Sequence, residues 1–291
     1  MITAKVLQHS INQGGEILTF ELEYPRFIHS ELMTHRVFSR NAASSRAIPI
    51  QKMMDQVATN PAMPTYWGLD MGGMQAKEEH AEIGKCKEAW FVAANQAIHH
   101  AEKLKALGLH KQIVNRVLEP FQTMKTIVTA TEWENFYSLR SHRDAQPEFK
   151  VLADTMAIAA SHSVPFVIYG GEWHVPYVSR YRCPEYGDLT YYIDNEDQTD
   201  LSEEEALKVS SSCCAQVSYR VLDESLDKAL KVYKRLVEAK PIHASPFEHQ
   251  ATPAKYKEHC ANFKGWAQYR SYLENPCSPI NIGVSVQVVG S

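Results

Sequence analysis

The sequence predicts a mixed α/β (α+β) protein, a twisted sheet carrying long helices. Three observations lead there. Residues 2–8 and 16–24 read as strands, the second alternating Leu18, Phe20, Leu22 and Tyr24 with polar neighbours, and Gly14-Gly15 supplies a hairpin turn between them. Residues 75–107 place Ile83, Cys86, Trp90, Ala94, Ala97, Ala101 and Leu104 on one helical stripe. The run Lys125 to Thr129 has the β-branched content of a further strand, with helical patterns on both sides.

In chain order, Pro25 sits where a helix can begin, and Ile28 and Leu32 fall at helical spacing through residues 26–36. A short helix over 50–59 follows Pro49, and a Pro/Gly-rich loop runs from Asn60 to Gly73. The helix over 75–107 ends at Gly108 and would be roughly 50 Å long, a length suited to a scaffold or an oligomer interface. Helices are expected over 110–118, 132–140 and 148–160, and a strand over 189–193. Ser202 to Glu205 reads as a capping box opening a helix to about 218, and Asp223 as the cap of another to about 239. Residues 262–270 suggest a final amphipathic helix before a β-branched tail.

Composition narrows the function. Lysine and arginine (30) nearly balance aspartate and glutamate (34), so no global field attracts a nucleic acid polymer, and basic clusters are local pockets. The N-terminus lacks a leader pattern and no apolar run approaches the ~20 residues of a membrane span, so a cytoplasmic protein without a membrane partner is expected. Six cysteines without paired C-x-x-C spacing give no reason to expect a metal. The most unusual stretch is Thr34 to Arg46, with three arginines, four Ser/Thr hydroxyls, an imidazole and an amide but no acid. One-signed donors interleaved with hydroxyls and an aromatic suit an anionic, planar ligand, while a polar helix-to-loop exit is the plainer reading.

Two more donor-rich stretches follow, Arg116 to Pro120 and Asn135 to Arg140 with Ala145-Gln146. Together the three resemble the flavin-dependent thymidylate synthases, the ThyX family. The signature Arg-His-Arg-x-x-Ser-x-Asn-Glu-x-Ser-x-Arg is met by His35, Arg36, Ser39, Asn41, Ser44 and Arg46, with Thr34 and Ala42 standing where the family has arginine and glutamate. The other two stretches resemble the family's Arg-x-x-Leu-Pro and Asn-Phe-x-x-Leu-Arg-x-x-x-x-Ala-Gln elements, in order. Text similar to the family's amino-terminal elements comes afterwards, at Ser211 to Arg220 and Ser245 to His249. This order suggests one ThyX-like domain over 1–291, permuted: residues 1–164 form the signature-bearing core, and 165–291 supply the elements that open the family's chains.

The resemblance implies a transferase of nucleotide biosynthesis that methylates dUMP to dTMP, a homotetramer using FAD, with methylenetetrahydrofolate and NADPH as co-substrates. It implies Arg140 as the catalytic contact to the pyrimidine. Ser44, Arg46, Arg116 and Arg140 would bind the nucleotide, and His35, Arg36, Asn41, Asn135 and His249 the flavin. Two alternatives remain: hydroxymethylation of a pyrimidine deoxynucleotide, which Thr34 and Ala42 would reflect, and a non-catalytic flavin- or nucleotide-binding protein. No cysteine sits in a donor-rich motif, which disfavours a thiol nucleophile.

Overall fold

A computed structural model describes residues 2–196, 198–255 and 259–274. The expected β-branched tail lies beyond them. Strands β1 (Thr3–Asn12) and β2 (Gly15–Pro25) form the antiparallel hairpin, with Gly15 at φ +127. A 3-10 turn (Arg26–Ile28) and the single-turn α1 (His29–Leu32) lead to β3 (Ser39–Ala42). Then come α2 (Ile50–Thr59), α3 (Ile83–Ala106), α4 (Lys111–Val117), a 3-10 turn (Glu119–Phe121), β4 (Thr123–Ala130), α5 (Glu134–Arg140), α6 (Pro147–Ser161) and β5 (Phe166–Val167). The main sheet runs β3-β4-β2-β1-β5, antiparallel apart from the β1–β5 edge.

One face of this sheet is apolar. Leu18, Phe20, Leu22 and Tyr24 of β2 join Met124 and Val128 of β4 in a core closed by residues of α2, α3, α4 and α6. An aromatic cluster of Phe20, Phe38, Trp133, Phe136 and Phe149 sits at its centre, with edge-on and tilted rings about 5–6 Å apart.

The other face is polar yet buried. An extra residue at Leu7 shifts the β1 register, so that Gln8 faces Thr19. Thr19 faces Thr129, which in turn faces Ser39. All four are buried, because the rest of the chain packs over them. That part comprises β6 (Ser179–Arg182), β7 (Leu189–Ile193), β8 (Thr199–Leu201), α7 (Glu203–Gln216), α8 (Leu226–Glu238), a 3-10 turn (Ser245–Glu248), β9 (Ala251–Pro253), β10 (His259–Cys260), β11 (Phe263–Lys264), β12 (Trp266–Gln268) and α9 (Tyr269–Glu274). Its own core centres on Trp173, Tyr191, Val209 and Ala229.

Four expectations need correction. The helix expected over 26–36 stops at Leu32: Thr34 Oγ1 donates to the Glu31 carbonyl at 2.7 Å, and Arg40 Nη1 donates to the carbonyls of Leu32, Met33 and His35. The long helix starts at Ile83 rather than 75, because Gly68 bridges Glu79 and residues 67–80 fold back on themselves. It is therefore nearer 36 Å than 50 Å. Ser225, not Asp223, caps α8, with Asp223 Oδ1 accepting from the Ser225 amide. Residues 263–268 are strands rather than helix, since Gly265 sits at φ +74 with a Cβ there only 2.9 Å from the Gly14 backbone. The capping box of Ser202 and Glu205 is present.

Truncating the buried ring in Phe20→Ala is expected to cost about 3–5 kcal/mol in urea unfolding. A loss under about 1 kcal/mol would contradict this core assignment.

Candidate functional site

The predicted residues fall at three places along β3, which at four residues is about 13 Å long. Before the strand, His35 is buried against Phe38, Phe136 and Phe149 at 5.0–6.1 Å between ring centroids. Arg140, in the last turn of α5, reaches back to it. Its Nε donates to His35 Nε2 at 2.9 Å, Nη1 to Glu31 Oε2 at 3.1 Å and Nη2 to Thr34 Oγ1 at 3.3 Å. The guanidinium also lies 4.7 Å over the Phe149 ring. An imidazole accepting from a guanidinium must be neutral at that nitrogen. Burial accordingly holds His35 down at about 4, and the Arg140 and Arg40 charges push the same way. A cavity of about 290 Å³ opens here between His35, Val37, Glu132, Glu134, Asn135 and Phe136. Asn135, which lines it, is exposed, as is Arg36 between two of its lining residues in the chain.

After the strand, Ser44 and Arg46 lie in a loop with the Arg46 amide donating to Ser44 Oγ at 3.3 Å. The loop is tied down by buried Asn115, whose Nδ2 donates to the carbonyls of Ser45 (2.7 Å) and Ile48 (3.0 Å). Arg116 is the next residue, and its Nη1 lies 3.0 Å from Glu119 Oε1. The same oxygen accepts from Arg26 at 2.8 Å and from Ser45 Oγ at 3.4 Å. Two arginines and a serine hydroxyl thus converge on one carboxylate oxygen, a donor set that also suits a phosphate. The Arg46 guanidinium is exposed and makes no hydrogen bond or ion pair among the described residues.

On the strand, Asn41 Nδ2 donates to the Cys214 carbonyl at 3.2 Å, so this amide ties β3 to α7. His249 lies on the same side of the sheet. It is fully buried, its Nδ1 is 2.8 Å from Thr129 Oγ1, and its Nε2 has no partner among the described residues. Burial alone holds its pKa down at about 3. Gln268 links the two segments, donating to Ser39 Oγ at 2.9 Å and to the Glu248 carbonyl at 3.4 Å.

The structure thus brings His35 and Arg140 together, sets Ser44 and Arg46 beside Arg116, and leaves Asn41 with His249 between these two groups. Sequence reasoning missed Glu31, Arg26, Glu119, Asn115 and the capping role of Arg40. Glu119 stands three residues after Arg116, at ion-pair spacing on a helical turn, and was legible on that ground. Glu31 and Arg26 gain meaning only from the fold. A larger cavity of about 710 Å³, lined by residues 11–14, 167–171 and 253–255, contains none of the predicted residues. Among the described residues no helix is long and apolar enough to cross a membrane.

Such an arrangement defines an α/β protein with donor clusters strung along one edge strand, fit for an anionic ligand. Residues 15–166 match the family model described as thymidylate synthase complementing protein, Thy1, and the chain belongs to that family. No curated protein matches it. Among solved structures it is similar to the UMP/dUMP methylase PolB from Streptomyces cacaoi bound with 5-Br dUMP, at 18% identity over 55% of this chain and 90% of that one, with a TM-score of 0.46. The same methylase bound with 5-Br UMP matches at 17% identity over 55% and 89%, with a TM-score of 0.46.

A pH dependence follows. His35, His249 and His29 are held below the ordinary 6.5, at about 4, 3 and 4, in each case chiefly by burial. As pH falls from 6.5 toward 4 the unfolded chain takes up protons that the folded chain refuses. Their contribution is therefore complete above about pH 6.5 and is lost on acidification, by up to about 1.4 kcal/mol per pH unit for each fully buried ring. The urea midpoint should be higher at about pH 7.5 than at about pH 5, and a midpoint that rises on acidification would contradict the placement of these rings.

Proposed function

We propose that the chain is a flavin-dependent thymidylate synthase, transferring and reducing the one-carbon unit of methylenetetrahydrofolate onto C5 of dUMP to give dTMP. The observation that carries this reading is the contact of Arg140 with His35 and Thr34, which joins two family elements 105 residues apart beside a cavity. Arg140 retains N–H donors beyond its three internal bonds. A pyrimidine placed against it gains a cation that favours the N3-ionised, electron-rich ring. Glu31 and Phe149 hold the guanidinium in place while it does so.

Arg116 and Arg46, with Ser44, bind the 5'-phosphate. Arg116 is exposed and keeps N–H donors beyond its one contact to Glu119, which supports a phosphate on its open side. The residues present fit a flavin: His35 and Asn135 line the cavity, Arg36 is exposed in the segment between His35 and Val37, and His249 offers a buried nitrogen without a partner among the described residues. In this reading Arg36 and Asn135 hold its pyrophosphate, while His35 and His249 hold its ring system and Asn41 keeps β3 in register with them. FAD, when bound, supplies the hydride chemistry, with NADPH as the reductant. The thiols of Cys213 and Cys214 are buried and pushed well above their ordinary range, which supports a route without a thiolate nucleophile.

The permuted order belongs to the same proposal. The Ser44 amide donates to the Ser218 carbonyl at 3.1 Å and Ser218 Oγ to the Ala42 carbonyl at 3.4 Å, so residues 211–220 back the signature strand from the C-terminal part of the chain. Residues 1–164 act as the signature-bearing core and residues 200–255 supply the flavin-side wall. A homotetramer in the cytoplasm completes the reading, since donor clusters spread along β3 suit a site finished by a neighbouring copy.

Thr34 and Ala42 support a second reading, hydroxymethylation of the same nucleotide. Neither restores the charged side chain of the signature. Incubating the full chain with FAD, NADPH, methylenetetrahydrofolate and dUMP and weighing the product separates them: the proposal expects dTMP, and hydroxymethyl-dUMP would overturn it. Arg140→Ala should lower turnover roughly 10²–10³-fold while flavin absorbance is retained. Turnover within a few-fold of wild type would refute the role of Arg140.

A further inference from the structure

His174, outside every motif used above, is fully buried behind the sheet. Its Nδ1 lies 2.7 Å from Ser10 Oγ and its Nε2 2.8 Å from Thr19 Oγ1. Thr19 Oγ1 lies 2.8 Å from Thr129 Oγ1, and Thr129 Oγ1 lies 2.8 Å from His249 Nδ1. The result is an unbroken chain from Ser10 through His174, Thr19 and Thr129 to His249. It crosses β1, β2 and β4 and joins two imidazoles that are 75 residues apart in sequence.

Hydrogen counting sets its direction. Both rings are neutral, because burial depresses His174 well below its ordinary value and His249 to about 3. Arg180 adds to the effect on His174. Each of the five groups then carries one transferable hydrogen, and the chain has four links. If Ser10 donates to His174 Nδ1, then His174 Nε2–H donates to Thr19, Thr19 to Thr129, and Thr129 to His249 Nδ1. The single hydrogen left over is on His249 Nε2. In the reverse direction His249 Nε2 is a bare acceptor and the Ser10 hydrogen is also left over, neither with a partner among the described residues. One unmet group is less costly than two, at roughly 1–3 kcal/mol for each buried unmet group.

We propose that His249 is held as the Nε2–H tautomer by this chain, with Ser10, His174, Thr19 and Thr129 as positioning residues, and presents a neutral hydrogen-bond donor to an acceptor atom of a bound ligand. The acceptor class is a carbonyl oxygen or an unprotonated ring nitrogen. The identity of that ligand as the flavin ring rests on the reading under Proposed function. A neutral donor suits such a ring, since it polarises a carbonyl or ring nitrogen without adding a buried charge.

Ring ¹⁵N spectra of the full chain labelled at histidine test the chain directly. Both His174 and His249 are expected as Nε2–H tautomers at about pH 7, and Thr129→Ser should retain this while Thr129→Val should mix the two forms at His249. Ser10→Ala, four links away, removes the donor that sets the direction and leaves two unmet groups either way. The Nε2–H fraction at His249 should then fall from nearly complete to a mixture of the two tautomers. A merely structural Ser10 would not move it. An Nδ1–H tautomer at His249 in the wild type, or a ratio unchanged in both Ser10→Ala and Thr129→Val, would overturn the proposal. Where the variants fail to fold, an Nδ1–H tautomer at either ring of the wild type still overturns the proposal. Titration with FAD is read separately. A shifted Nε2–H proton supports the flavin as acceptor, whereas no shift with the tautomers as expected removes His249 from the flavin site and leaves the chain standing.

Discussion

Everything in this molecule hangs on the polar row that crosses the sheet from Gln8 through Thr19 and Thr129 to Ser39. Such residues are costly to bury unless each finds a partner, and here the partners come from the C-terminal part of the chain. Gln8 donates to the Val178 carbonyl, Thr19 meets His174, Thr129 meets His249, and Ser39 receives Gln268. An apolar interface tolerates sliding, whereas these bonds are satisfied in one register only. The row therefore fixes where residues 174–178, 245–249 and 266–268 sit relative to the sheet, while Asn41 and Ser44 tie residues 211–220 to the signature strand and so set the wall behind the candidate site.

The two faces of the sheet were unequally legible from sequence. The alternation of Leu18, Phe20, Leu22 and Tyr24 announces a strand with one apolar face, and the helical stripe of Ala94, Ala97 and Ala101 announces what covers it. Thr19, Glu21 and Glu23 read only as the polar neighbours of that face, because periodicity shows that a face is polar and not what lies over it. β3 went unread for a related reason. Ser39 to Ala42 has little intrinsic strand character and becomes a strand by pairing with β4. Residues 75–82 and 263–268 were misread because a helical pattern extends into segments whose backbone is held by distant partners, Gly68 with Glu79 and Gly265 against Gly14.

The site shows the same division. Residue types and spacing singled out His35, Arg140, Ser44, Arg46 and Arg116, because donors with few acids nearby are conspicuous in any sequence. Most of their supporting groups were silent. Glu31 orients Arg140 and Asn115 holds the loop of Ser44 and Arg46, yet each is an ordinary helix or turn residue until the chain folds, whereas Glu119, which gathers Arg26 and Arg116, is marked by its spacing from Arg116. Thr34 is informative in this light. Where the family has an arginine, this chain has a hydroxyl that caps Glu31 and touches Arg140, so the position keeps a polar contact to the guanidinium without a second cation.

The central claim is that the C-terminal part of the chain holds the signature strand through side-chain hydrogen bonds across the polar face. Hydrogen exchange in the full-length Gln268→Ala variant tests it most directly, since Gln268 bonds both Ser39 Oγ and the Glu248 carbonyl. Faster exchange is expected in residues 39–46 and 245–250 together, with α3 unchanged. Unaltered protection at residues 39–46, with loss confined to the neighbours of Gln268 in the chain, would contradict it.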